Sequence, residues 1–270
     1  MSKKIIGIVG CGVIGSALAE HAGKSLTKII AEIILCDSDI RKAEVLAEKI
    51  QNAVVANSAE ETLKKADLII EAASPQVVPD LVKAALGQGK DVMVMSIGGF
   101  IGNEGLLAEA REKNIRLILP SGAVAGIDAL KSAGLAGIES VTLTTRKPPR
   151  SVKGAPYLSE KGIDVETITD ETVIFEGSAL DAIKGFPKNI NVSALLSLAG
   201  IGAENTRVKI VVSGEYTKNT HEIEVKSKAG TLTTRAENVP SPGNPGTSYL
   251  AVLAAIASLE GYFDTVRIGT

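Results

Sequence analysis

Residues 4–9 form an apolar, strand-like run that leads into Gly10, Gly12 and Gly15 and then into an apolar stretch, 13–22, of helix-forming composition. Three glycines at that spacing, between a strand and a helix, make a dinucleotide-binding fingerprint. The first permits a tight turn, the second lets backbone approach a pyrophosphate, and the third lets helix and strand pack closely. Glycine is common here, 27 of 270 residues, so the spacing alone carries little weight. The flanking elements add that weight, because a helix N-terminus presents unpaired N–H groups to phosphate. Gly10, Gly12, Val13, Ile14 and Gly15 are the expected cofactor-binding turn.

The next strand, 32–36, ends at Asp37, 22 residues after Gly15. A carboxylate there accepts hydrogen bonds from the adenosine ribose hydroxyls and repels a 2′-phosphate. Asp is also a favoured N-cap, so Asp37 could cap a helix over 38–50. Arg41, one turn into that helix, would suit a 2′-phosphate, so the pattern favours NAD and leaves NADP open.

Strand and helix signals alternate onward: strands at 53–56, 68–72, 91–95 and 115–119, helices at 59–65, from Pro75 to about 87–89, and at about 105–113. Short apolar strands alternating with helices specify a doubly wound parallel sheet covered on both faces, the Rossmann arrangement. Beyond Pro120 the pattern changes to Thr-rich alternating segments, 140–146, 172–176, 207–213, 221–226 and 231–237, with helices at 179–184 and 191–198. Alternation of this kind predicts a second α+β domain with a mainly antiparallel sheet. A Pro- and Gly-rich loop at 240–245 precedes an apolar helix, 247–259, that could return to the first domain. The expected division is 1–120 plus 246–270 for the nucleotide domain and 121–245 for the substrate, catalytic and dimerisation domain.

A formal net charge of −2 gives no electrostatic footprint for nucleic acid or an anionic membrane. The uncharged run 5–19 follows two lysines but is interrupted by glycines at fingerprint spacing, which argues against a signal peptide and makes the cytoplasm the expected location. Cys11 and Cys36 sit in the fingerprint and at the end of the second strand, where small buried residues are expected; no metal site is implied.

The chain has two histidines. His21 lies in the first helix, two turns past the phosphate turn, and reads as a packing or surface residue. His221 opens an alternating strand in the second domain, and an imidazole suits proton transfer near neutral pH. Residues 120–128 (PSGAVAGID) have the small side chains that let backbone approach a ligand, or that make a hinge; residues 185–191 (GFPKNIN) offer amides before a helix, or simply its cap.

Four stretches together resemble the L-aspartate dehydrogenases that feed NAD biosynthesis: the glycine fingerprint, SGAVAGIDAL at 121–130, FPKNINV at 186–192, and HEIEV at 221–225 with ENVPSPGNPGTSYLA downstream. The resemblance implies that His221 is the catalytic acid/base and that an alanine and an asparagine bind the cofactor. These fall on Ala125 and Asn191, with Ala123 and Asn189 as near-equivalent neighbours. It implies NAD(P)-dependent oxidation of L-aspartate to iminoaspartate, then oxaloacetate and ammonia. The exposed face of the second-domain sheet is a natural dimer surface, so a homodimer is the expected assembly. Lys184, Lys188, Arg235 and the amides of 121–126 are the candidates for holding the substrate carboxylates. The chain reads as somewhat longer than a typical member, with extra length expected at 146–162, where Lys147, Arg150 and Lys153 cluster. The rival readings are a related two-domain reductase, of dihydrodipicolinate reductase or homoserine dehydrogenase type, and a non-catalytic NAD sensor.

Overall fold

The computed structural model describes residues 3–187 and 191–269, apart from the side chain of Pro245. The chain separates into two compact units, Met1–Pro120 with Val252–Arg267, and Ser121–Ala251 with Ile268–Thr270.

In the first unit, strands β1 (Lys4–Val9), β2 (Ile30–Cys36), β3 (Ala53–Val55), β4 (Leu68–Glu71), β5 (Asp91–Val94) and β6 (Leu117–Ile118) alternate with helices. These are α1 (Val13–Ser25), α2 (Ile40–Ala47), α3 (Ala59–Lys65), α4 (Val78–Gly87) and α5 (Gly105–Glu112). The strands form one parallel sheet in the order β3-β2-β1-β4-β5-β6, as the alternating pattern predicts. Neighbouring residues along the central strands, such as Ile33, Ile34 and Leu35 or Leu68, Ile69 and Ile70, are all buried, because helices cover both faces. Order β3-β2-β1 then β4-β5-β6 places the topological switch between β1 and β4, the crevice where such sheets bind ligands.

The second unit contains α6 (Ile127–Gly134), β7 (Ile138–Lys147), α7 (Pro156–Lys161), β8 (Thr172–Ser178), α8 (Ala179–Gly185) and α9 (Asn191–Ala199). They are followed by β9 (Arg207–Val212), β10 (Asn219–Ser227), β11 (Gly230–Asn238) and the short pair β12 (Pro240–Ser241) and β13 (Asn244–Ser248). The main sheet runs β11-β10-β7-β9-β8; all its pairs are antiparallel except β7–β9. Its inner face carries Val141, Leu143, Ile223 and Val225, all buried, and Thr-rich residues occupy the other face.

One local expectation is corrected, and two elements appear that the sequence reading did not include. The 240–245 loop is a β-hairpin, so the last helix, α10 (Tyr249–Phe263), starts only after Ser248, which pairs with Pro240 in that hairpin. Residues 127–134 form a helix, an element not anticipated after the small-residue stretch 120–128. Within 146–162, Pro156 opens α7, whose Tyr157 stacks with Phe175 and Phe186 at ring-centroid distances of 5.2 and 5.4 Å. A small aromatic cluster thus orders a segment whose sequence shows no periodicity.

In the first unit α10 buries Ala255 and Leu259 in the core that also holds Ile6, Ile8 and Leu18. His21 bonds Glu260 at 2.9 Å, which accounts for it as a packing residue. A Cβ on Gly15 would lie 1.9 Å from the Gly10 carbonyl oxygen. Gly15→Ala is expected to push α1 off β1, costing about 1–3 kcal/mol in urea unfolding and weakening NAD binding in the folded fraction.

Candidate active site

The nucleotide turn is built by close approach. Gly10 sits at φ +104°, a conformation that favours glycine, and a Cβ there would lie 2.5 Å from the backbone of Ala72. Gly12 is exposed and a Cβ on it would meet nothing within 4 Å, so open space lies over the start of α1. That helix begins with no side-chain cap and no acid in its first turn, which leaves the positive end of its dipole available to an anion. A pyrophosphate fits this cradle. Gly10, Gly12, Val13, Ile14 and Gly15 are thus gathered in one turn.

Asp37 joins them. One carboxylate oxygen accepts from the Cys11 N–H at 2.7 Å and the other from the Asp39 N–H at 2.9 Å. The N-cap of α2 is Asp39, so the capping alternative for Asp37 fails. Two N–H donors leave further lone pairs on this carboxylate for ribose hydroxyls. A second acid, not anticipated from the sequence, organises the same edge of the sheet. Glu71, at the end of β4 opposite Val9, is fully buried and accepts from the N–H and hydroxyl of Ser96 and the N–H of Ala73. Burial pushes its carboxyl up, against those hydrogen bonds. It ties together the loops that follow β4 and β5. The cysteines are both buried and free; burial first, then Asp37, pushes the Cys11 thiol up to about 12, so it is inert. Among the described residues no His, Cys, Asp or Glu cluster could hold a metal.

In the second unit, register decides which side chains meet. His221 pairs with Thr145 across β10 and β7, and its Nδ1 lies 3.1 Å from the Thr145 hydroxyl. His221 is 8% exposed. Lys147, two positions beyond Thr145 on the same face, is 3% exposed. Burial, and then the Lys147 charge, lowers the His221 pKa from 6.5 to about 3; burial lowers that of Lys147 to about 8. At neutral pH the imidazole is therefore uncharged.

Ala125 is exposed at the end of the 121–126 loop, and its carbonyl accepts from Thr234 at 3.1 Å. Asn238, buried, donates to the Ala123 carbonyl at 3.0 Å and accepts from Ser248 at 2.6 Å. It latches the loop to the β12–β13 hairpin, a role within ENVPSPG that no local signal announces. Asn191 opens α9 and is exposed. Asn189 and Lys188 lie outside the described residues. Arg235 pairs opposite Glu222, on the face away from His221, and bonds Glu237 at 2.9 Å; Lys184 is exposed. Arg235 is thereby removed as a carboxylate partner of the His221 site.

Two family models match the chain. Residues 10–120 match the homoserine dehydrogenase NAD-binding domain, and residues 128–262 match the aspartate dehydrogenase C-terminal domain. An L-aspartate dehydrogenase of Methanosarcina acetivorans is 47% identical over 271 residues, covering 98% of this chain and 99% of the relative. The chain belongs to the L-aspartate dehydrogenase family.

Within that family, the enzyme named L-aspartate dehydrogenase from Nitrosopumilus maritimus is 40% identical over 99% of this chain and 100% of its own. The crystal structure of aspartate dehydrogenase from Thermotoga maritima, 24% identical, superposes with a TM-score of 0.74 over 99% of this chain and shows the fold. The end-to-end match to the archaeal relatives corrects the expectation of extra length at 146–162. The chain is an NAD(P)-dependent oxidoreductase by membership of this family.

A buried neutral histidine has a cost in acid. Its folded pKa, about 3, lies below the ordinary 6.5, so the unfolded chain binds a proton that the folded chain does not. Stability is full above the ordinary value and falls as pH drops through it. Between about pH 8 and pH 5, wild type should lose roughly 2 kcal/mol more than His221→Asn in urea unfolding; equal losses would show that His221 is not held neutral.

Proposed function

We propose that the chain oxidises L-aspartate to iminoaspartate with NAD, NADP being the alternative acceptor, and that His221 is the proton-transfer residue. The observation that carries this is an imidazole held neutral on a buried sheet face, in a chain 47% identical to an L-aspartate dehydrogenase over nearly its whole length. The Gly10 to Gly15 turn would hold the pyrophosphate, Asp37 the adenosine ribose, and Ala125 and Asn191 further parts of the cofactor. Bound NAD supplies a hydride acceptor at its nicotinamide ring.

The protein's part is proton handling and orientation. Neutral His221 takes a proton from the substrate ammonium as the carbon–nitrogen bond becomes an imine. It releases that proton to solvent and, neutral again, takes one from water adding to the imine carbon; returning this proton to the departing nitrogen gives oxaloacetate and ammonia. Thr145 fixes the ring through Nδ1 and leaves Nε2 as the working atom. The Thr-rich open face of the second sheet supports a homodimer as the working form, and the cytoplasm is its proposed location. The proposed organisation assigns 1–120 with the C-terminal helix to the cofactor and the intervening segment to substrate.

The test is formation of reduced nicotinamide with L-aspartate, set beside homoserine, alanine and glutamate. Turnover with aspartate is expected, and turnover with homoserine alone would favour the reductase reading. His221→Ala should lower kcat by about 10²–10⁴ while NAD still binds. Near-normal kcat would remove His221 from the mechanism. Asp37→Ala should weaken NAD and narrow its advantage over NADP.

A further inference from the structure

We propose that Glu71 is a positioning residue for the nicotinamide half of the cofactor, holding the two loops over which that half must lie; this rests on the NAD reading above. In that reading Asp37, after β2, marks the adenosine end, and the start of α1, after β1, takes the pyrophosphate. The sheet order β3-β2-β1-β4-β5-β6 puts β2 on one side of β1, and β4 and β5 on the other. A dinucleotide laid across that switch carries its second nucleoside over the ends of β4 and β5. The loops there begin at Ala72 and Met95.

Glu71, the last residue of β4, joins these loops from within. Its Oε1 accepts from the Ala73 N–H and from the Ser96 hydroxyl, each at 2.8 Å, and its Oε2 accepts from the Ser96 N–H at 2.9 Å. Its backbone carbonyl accepts from the Met95 N–H at 3.0 Å. The loops also press on each other and on the phosphate turn. A Cβ on Gly99 would lie 2.4 Å from the Pro75 carbonyl oxygen, and one on Gly10 would lie 2.7 Å from the Ala73 nitrogen. The peptide that abuts the phosphate turn is thus the one whose N–H Glu71 holds.

A carboxylate withdrawn from water is costly to bury, and no lysine or arginine among the described residues stands beside this one to offset that cost. An apolar side chain would end β4 without the penalty. What it would lack is the set of acceptor directions that fix the backbone of Ala73 and Ser96. Glu71 and Ser96 are buried while Ala73 is exposed, so the carboxylate sets, from beneath, backbone that a ligand can reach. Such an arrangement fixes the place of the hydride acceptor without touching it.

Glu71→Gln isolates this role because it keeps the side-chain volume. An amide has one oxygen, so either orientation sets its NH2 group against the N–H of Ala73 or that of Ser96, and one loop must shift. The experiment measures binding of AMP, NAD and NADH by calorimetry, and kcat with L-aspartate. In Glu71→Gln the Kd of AMP should stay within about twofold, while that of NAD rises about 5–50-fold and kcat falls about 10–100-fold. Fluorescence of bound NADH, which reports the surroundings of the reduced ring, should move toward that of free NADH. Ser96→Ala removes one donor and leaves both N–H groups paired, so the same split between NAD and AMP is expected at about 2–10-fold. Equal loss of AMP and NAD affinity in folded Glu71→Gln, or NAD affinity and kcat as in wild type, overturns the inference. If that variant does not fold, wild-type NAD affinity and kcat in Ser96→Ala overturn it. Asp37→Ala is the control on the underlying reading, since it should weaken AMP and NAD together. Failure of wild type to oxidise aspartate counts against the proposed activity instead, and the split between NAD and AMP still decides the role of Glu71.

Discussion

Antiparallel pairing of β7 with β10 fixes which side chains share a buried face, and most of the chemistry assigned to this protein depends on that register. Side chains alternate along a strand, so a slip by one residue would send His221 to the Thr-rich outer face and replace it inside with Glu222. The four apolar residues Val141, Leu143, Ile223 and Val225 prevent the slip, because exposing them costs on the order of 1.5–3 kcal/mol each. The hydrophobic half of the sheet therefore positions its polar end. There, burial keeps the imidazole neutral, Thr145 fixes its ring, and Lys147 supplies a charge that opposes its protonation.

The nucleotide turn follows the same logic with different materials. Gly15 permits an approach of helix to strand, and Gly10 an approach of the turn to the Ala72 backbone, that a single methyl group would prevent. Two carboxylates then hold the surrounding loops. Asp37 reaches back to the Cys11 N–H, so the residue proposed for the ribose is also part of the phosphate turn. Glu71 gathers Ala73 and Ser96 from two successive loops at the edge of the sheet. Ligand recognition and loop order share the same groups, which makes the geometry of the turn insensitive to surface change and sensitive to these few residues.

Much of this was legible in the sequence because the signals are local. Glycine spacing, continuous apolar strands and the change to Thr-rich alternation after Pro120 reveal the two sheets and their classes. What was not legible depends on pairing partners. Nothing local tells Arg235 to register opposite Glu222, and so away from His221; nothing local separates Asp39 from Asp37 as the cap of α2. The aromatic contacts that order α7 join residues 18 and 29 positions apart. Lys147 drew notice only as one of three nearby basic residues, since burial of a lysine at a strand end becomes visible only once the sheet is assembled.

The central claim is that this scaffold removes hydride from the α-carbon of L-aspartate while His221 manages protons. Its most direct test is turnover of L-aspartate deuterated at the α-carbon, with the reduced cofactor examined by NMR. Deuterium at C4 of the nicotinamide ring, together with a slowed hydride-transfer step, is the expected result. Reduced cofactor that carries no deuterium, or no reduction with aspartate at all, would contradict the account.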